Sequence, residues 1–158
     1  MDLLTNRLCQ AASLAPVAVT LHCEQILIDL SKFDGHRMLR ILMPFAVTFA
    51  NGTSPVAQFQ KEFHPNVRLI ALHVIAESLK YVLSTQLLKE MPKLVAIMLP
   101  SLNCSIVDLR KAVIFVLVEA YMVIGDALYP FVQELAPPQK KLLTIYIERA
   151  VDKKNEPK

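Results

Sequence analysis

Ser105–Ala150 reads SIVDLRKAVIFVLVEAYMVIGDALYPFVQELAPPQKKLLTIYIERA, and this stretch decides the fold. From Val107 to Ile124 it is apolar on nearly every side, broken only by Asp108, Arg110, Lys111 and Glu119. A helix that is apolar all round must be covered by protein or by lipid. Four charges within it favour protein, so the segment reads as the central helix of an all-helical stack. Gly125 stands where a C-cap glycine would end that helix. Pro137 and Pro138 suit the first turn of another, because proline is tolerated there.

Working outward, prolines recur inside apolar helical patterns: Pro44 in ILMPFAV, Pro92 in EMPKLVAIM and Pro130 in ALYPFVQEL. Their separations of 48 and 38 residues bracket the period of HEAT and armadillo repeats. Each proline removes a helical hydrogen bond and bends its helix. Recurrence at matching places predicts a bent first helix in each repeat. Second helices follow. One begins near Asn66, a candidate N-cap, and carries His73, Glu77 and Lys80 as a solvated stripe at i, i+4 and i+7. The next begins at Ser105, with Asp108 three residues on as a capping-box-like pair. Val67-Arg68 and Leu109-Arg110 repeat the order of apolar anchor, then cation, at the mouth of each.

These patterns predict an all-α fold, a HEAT/TOG-like α-solenoid of stacked antiparallel helix pairs with about eight helices. The expected spans are 2–13, 17–32, 36–49, 66–83, 86–99, 107–124, 126–135 and 138–152. One helical-repeat domain would cover 1–152, followed by a charged, fraying tail over 153–158. The start inside a repeat pattern is expected for the C-terminal part of a larger protein. Ala50–Pro65 is the longest break between helices and reads as a mobile loop.

Composition narrows the function. Hydrophobic residues make up 54% of the 158, with three glycines, which favours helices over a turn-rich β fold. A net charge of +3, without aromatic residues interleaving a basic stripe, argues against nucleic acid. Mean hydropathy is positive, yet Leu8–Cys23, Ile41–Gln60 and Leu94–Val107 each fall short of a clean membrane span, so none is expected. Leu8–Ala15 has some signal-peptide character, but Asp2 beside a single Arg7 makes a poor n-region. Cys9, Cys23 and Cys104 are odd in number and widely separated, as in an intracellular protein rather than a disulfide framework. The glycosylation patterns at Asn51 and Asn103 then carry no meaning.

No catalytic constellation is present. His22, His36, His64 and His73 share no metal-ligand spacing with one another or with a cysteine. There is no G-x-G-x-x-G, P-loop or G-x-S-x-G motif. Catalytic residues, metal and cofactor are therefore all expected to be absent, and an enzyme is the least favoured class. What remains is surface, because the turns between paired helices form ridges suited to docking. The candidate partner-binding residues are Pro65, Asn66 and Arg68 in one repeat and Ser105, Asp108, Arg110 and Lys111 in the next. Lys140, Lys141 and Arg149 form a secondary basic patch. Acids and cations at such turns also serve as ladders between repeats.

DLRKAVIFVLVEAYMVIGDALYPFVQEL followed by KKLLTIYIERA resembles the C-terminal end of the CLASP family, the CLIP-associating proteins that regulate microtubules. The resemblance is most specific over Met91–Val151 and continues from about His22, through MLRILMPFAV and VRLIALHVIAESLKYVLSTQLLKEMPKL. The break at Ala50–Pro65 is longer than the family's turn. The resemblance implies a TOG-like interaction domain that docks microtubule-end linker proteins and kinetochore or cortical adaptors. It implies a place in the cytoplasm on microtubules, spindle and kinetochore. Direct tubulin binding is the alternative, although the family's tubulin-contacting domains commonly use a ridge tryptophan and this chain has none. A generic HEAT scaffold is the other alternative, against which LLTIYIERA argues.

Overall fold

The first glycine of the described chain, Gly35, shows how its helices pair. In the computed structural model, which describes residues 7, 17–46 and 65–155, it opens helix α2 against the end of α3. Six α-helices are present among the described residues: α1 (Val17–Ser31), α2 (Gly35–Leu42), α3 (Pro65–Leu79), α4 (Ser84–Met98), α5 (Val107–Ile124) and α6 (Pro137–Asn155). Short 3-10 helices extend α2 over Met43–Ala46 and α4 over Leu99–Asn103, and a longer one, Gly125–Val132, follows α5. No strand occurs among these residues.

The helices form two layers. Helix α3 packs chiefly against α5, with α1 on its other side, and α6 continues the row beyond α5. This row is parallel. Lys32, just past α1, is within electrostatic reach of Glu77 and Tyr81 at the end of α3. Glu119, late in α5, feels Lys80 and Glu77. Asn103, just ahead of α5, meets Gln139 in the first turn of α6, and Phe115 meets Tyr146 further along. The other layer holds α2, α4 and the 3-10 segment after α5. Helices α2 and α4 return antiparallel to the following helix of the row, α3 and α5, which is the expected stack of helix pairs.

One continuous core fills the space between the layers. Met38, Leu39 and Leu42 of α2, Leu72 and Ile75 of α3, and Leu87, Met91 and Leu94 of α4 are fully buried. Helix α5 is central, with Leu109, Ala112, Val113, Ile114, Val116, Leu117, Val118 and Ala120 all buried. Val107–Val132 is also the one segment among the described residues that is long and apolar enough, by length and composition, to cross a membrane. In this fold its buried side faces α3, α4 and α6.

Among the described residues the helix count falls below eight for local reasons. Of the expected helix 2–13 only residue 7 is described, as helical, and the expected loop 50–65 lies outside the described residues except for Pro65, which opens α3. The expected helix 126–135 is instead a 3-10 helix with Pro130 inside it, since proline has no N–H for the helical ladder. Pro44 likewise sits in a 3-10 turn, and only Pro92 lies inside an α-helix. The three prolines are therefore not equivalent bends. Helix α6 extends to Asn155, so Lys153 and Lys154 belong to its last turn, where cations suit the helix dipole.

Caps differ from expectation too. Pro65 opens α3, which places Asn66 inside the first turn rather than at the cap. Helix α5 is capped by extended Ile106 with no side-chain bond, so Ser105 and Asp108 form no capping box. Gln supplies the device elsewhere. Gln139 Oε1 accepts the Ala136 N–H at 3.1 Å ahead of α6, and Gln86 Oε1 accepts the Leu83 N–H at 3.4 Å ahead of α4. Gly125 does end α5, at φ 59° and ψ −139°, a conformation open essentially to glycine.

Polar pairs link neighbouring helices in both layers. Glu90 of α4 meets His36 at 3.3 Å and Arg40 at 3.6 Å on α2. His73 of α3 meets Glu24 of α1 at 3.1 Å, while Glu77 pairs with Lys80 at 2.7 Å. Glu119 lies at the edge of this stripe. Its carboxyl is pushed up mainly by desolvation, opposed by Lys80 and reinforced by Glu77. A raised carboxyl pKa weakens the folded state wherever the group is charged, and the cost disappears as pH falls below the unfolded value. Glu119→Gln should therefore raise the melting temperature slightly at pH 7 and make no difference near pH 3, read by thermal scans at both.

Candidate docking groove

The all-round apolar character of α5 leaves one face of it against solvent. Val107, Arg110, Lys111, Ile114 and Phe115 recur at helical spacing and form one wall of a groove. Pro138, Gln139, Leu142 and Tyr146 of α6 form the other, and Leu102 of the preceding 3-10 turn lies between them. The groove encloses about 440 Å³. Val107 is 49% exposed, Phe115 46% and Leu142 43%, so three large apolar side chains are half offered to solvent along a single channel.

Specific contacts fix its shape. At the near end Gln139 Nε2 donates to Asn103 Oδ1 at 3.2 Å, and Arg110 Nη1 donates to the Cys104 carbonyl at 2.6 Å. At the far end the Phe115 and Tyr146 rings meet edge to face, 5.5 Å between centroids at 77°. The Arg149 guanidinium lies 5.8 Å from the Tyr146 centroid, a cation–π distance. Lys111 pairs with Asp108 at 3.9 Å, with both side chains mostly exposed, so this pair adds little stability.

The sequence-predicted residues separate on this surface. Arg110 and Lys111 line the groove, and Arg149 flanks it through Tyr146. Ser105 and Asp108 are exposed beside its near end. Pro65, Asn66 and Arg68 open α3 and do not line it. Arg68 is only 6% exposed, which corrects its reading as a ridge cation, and a charge reversal there would disturb folding rather than docking. Both anchors of the repeated motif, Val67 and Leu109, are buried, but only Arg68 is buried with its anchor, while Arg110 is half-buried at the groove. Lys140 lines a separate hollow with Tyr129, Val132 and Leu143, and Lys141 is exposed.

Phe115, Leu142 and Tyr146 were not singled out by sequence. Within a helix apolar on every side, nothing marks which apolar residue stays uncovered. A second concavity of about 630 Å³ is rimmed by Arg37, Arg40 and Lys93 in the other layer. Its Phe45 is buried, so it presents charge without an aromatic anchor. Interface energy concentrates in aromatic, apolar and Arg anchors, which favours the α5–α6 groove. Among the described residues no group of three or more His, Cys, Asp or Glu is placed to hold a metal ion.

Antiparallel pairs stacked so that their second helices form a parallel row define a HEAT-like helical-repeat domain. No protein-family model matches the chain. Its sequence is nonetheless similar to those of CLIP-associating proteins. It is 25% identical over 139 residues, 87% of its length, to the CLIP-associated protein of Arabidopsis thaliana. It is 31% identical over 84 residues, 53% of its length, to CLIP-associating protein 1-A of Xenopus laevis. The chain spans only 9% and 6% of the lengths of these two relatives.

Proposed function

We propose that this chain is a non-enzymatic docking domain of a microtubule-associated regulator of the CLIP-associating type. Its α5–α6 groove grips partner proteins: cytoplasmic linker proteins at microtubule ends, or adaptors at the kinetochore and cell cortex. The protein then works in the cytoplasm on the microtubule cytoskeleton, the spindle included. The observation that carries this reading is the row of half-exposed Val107, Phe115 and Leu142 beside Arg110 and Lys111, in a chain similar to proteins named for associating with CLIP.

Immobilised protein should capture a purified cytoplasmic linker protein. Phe115→Asp and Leu142→Asp should each weaken capture at least ~10-fold, as truncated hot spots do, while the melting temperature stays within about 2 °C because both side chains are already half solvated. Undiminished capture by both variants rejects the groove as the docking surface.

The cations around the second concavity favour one alternative, direct contact with acidic tubulin. Binding by that route would weaken steeply with salt. Arg40→Glu with Lys93→Glu would abolish cosedimentation with microtubules and leave linker-protein capture intact.

A further inference from the structure

We infer that the α5–α6 groove takes an acidic amphipathic helix about two turns long, a deduction that rests on the docking reading above. Three features of the groove lead there.

Its length comes first. Val107 and Phe115, at its two ends, are eight residues apart on one helix face, which spans about 12 Å at the α-helical rise. That distance matches apolar anchors at i, i+3 or i+4, and i+7 of a docked helix. No strand is present among the described residues to offer a sheet edge to an extended peptide, so helix-in-groove is the mode that this surface supports.

Charge comes second. Arg110 and Lys111 stand on the α5 wall, and Arg149 sits beyond Tyr146 at the far end. Exposed Asp108 offsets part of the Lys111 charge, and exposed Glu148 neighbours Arg149. The residues that line the groove itself include two cations and no carboxylate. A basic helix would bring like charge against both, whereas glutamates flanking apolar anchors would meet them as partners.

Preorganisation comes third. The bond from Arg110 to the Cys104 carbonyl holds its guanidinium against the wall, so a carboxylate meets a donor whose orientation is already fixed.

Three fluorescein-labelled synthetic peptides of about 14 residues test this by anisotropy at about 50 mM and 200 mM salt. One carries Leu at i, i+3 and i+7 with Glu elsewhere on the helix. The second replaces Glu by Lys, and the third replaces Leu by Ala. The first should bind at least ~10-fold tighter than either control and weaken as salt rises. Phe115→Ala should lose at least ~10-fold of that affinity, and Lys111→Glu should erase the preference for Glu over Lys.

Equal or tighter binding of the Lys peptide, no binding of any peptide, or affinity indifferent to Phe115→Ala overturns the inference. So does a dimer in light scattering that Phe115→Asp dissolves, since a second copy would then fill the groove. Competition by a synthetic peptide of residues 47–64 would likewise give the groove to this chain itself. Loss of linker-protein capture on Phe115→Asp, with no preference among the peptides, keeps the docking reading and rejects only the acidic helix.

Discussion

Leu117→Ala should cost the domain about 2–5 kcal/mol, the range for truncating a fully buried leucine. Leu117 is 0% exposed in the middle of α5, the helix against which α3, α4 and α6 pack. The loss combines the transfer free energy of the removed carbons with a cavity that close-packed neighbours only partly fill. For a domain of this size the melting temperature should fall by roughly 5–15 °C, and the urea midpoint should drop with little change in slope. Phe115→Ala, two residues earlier on the same helix, is the internal control. Its ring is 46% exposed, so the change should cost far less stability while damaging docking. Equal destabilisation by the two changes would contradict the assignment of faces on α5.

Gly35→Ala should destabilise although alanine is the better helix former by about 1 kcal/mol. A Cβ at Gly35 would lie 2.6 Å from the Ser78 carbonyl oxygen and 2.9 Å from Tyr81 Cβ. Neither can move cheaply. Ser78 is fully buried with its hydroxyl bonded to the Val74 carbonyl at 2.6 Å, and the Tyr81 N–H donates to the Ser78 carbonyl at 3.0 Å. Either α2 must pull away from α3 or the turn after α3 must open. Overpacking of this kind costs about 1–3 kcal/mol, which outweighs the gain in propensity, and Gly35→Val should cost more. A higher melting temperature for Gly35→Ala would show that the two helices do not approach so closely. Gly125 is a different case, because no atom lies within 4 Å of a Cβ there and only its positive φ demands glycine.

Periodicity located the second helices well because they are long and nearly uniform. The expected 107–124 is Val107–Ile124, and 138–152 is Pro137–Asn155. The end of α3 was less legible. Periodicity runs on to residue 83, yet Lys80, Tyr81 and Val82 close i→i−3 turns with no glycine or proline to announce them. Proline spacing gave the repeat but not its geometry, since a proline in a short apolar segment can tighten the chain into a 3-10 turn as readily as bend an α-helix. For the site, Arg110 and Lys111 were found from their place at a helix mouth. Arg68 occupies the equivalent place in the other repeat and is buried. The apolar half of the groove was invisible, since exposure of Phe115 and Leu142 depends on how far α6 stands from α5.

Helix α6 keeps only Leu143 and Ile147 buried, whereas α5 keeps eight side chains inside. One wall of the channel is thus a lightly moored plank and the other is the keel of the stack. Local opening is governed by how little apolar surface a segment conceals, so α6 lifts before α5. A ligand seated between them works as a clamp: part of its grip goes into fastening α6 to the hull.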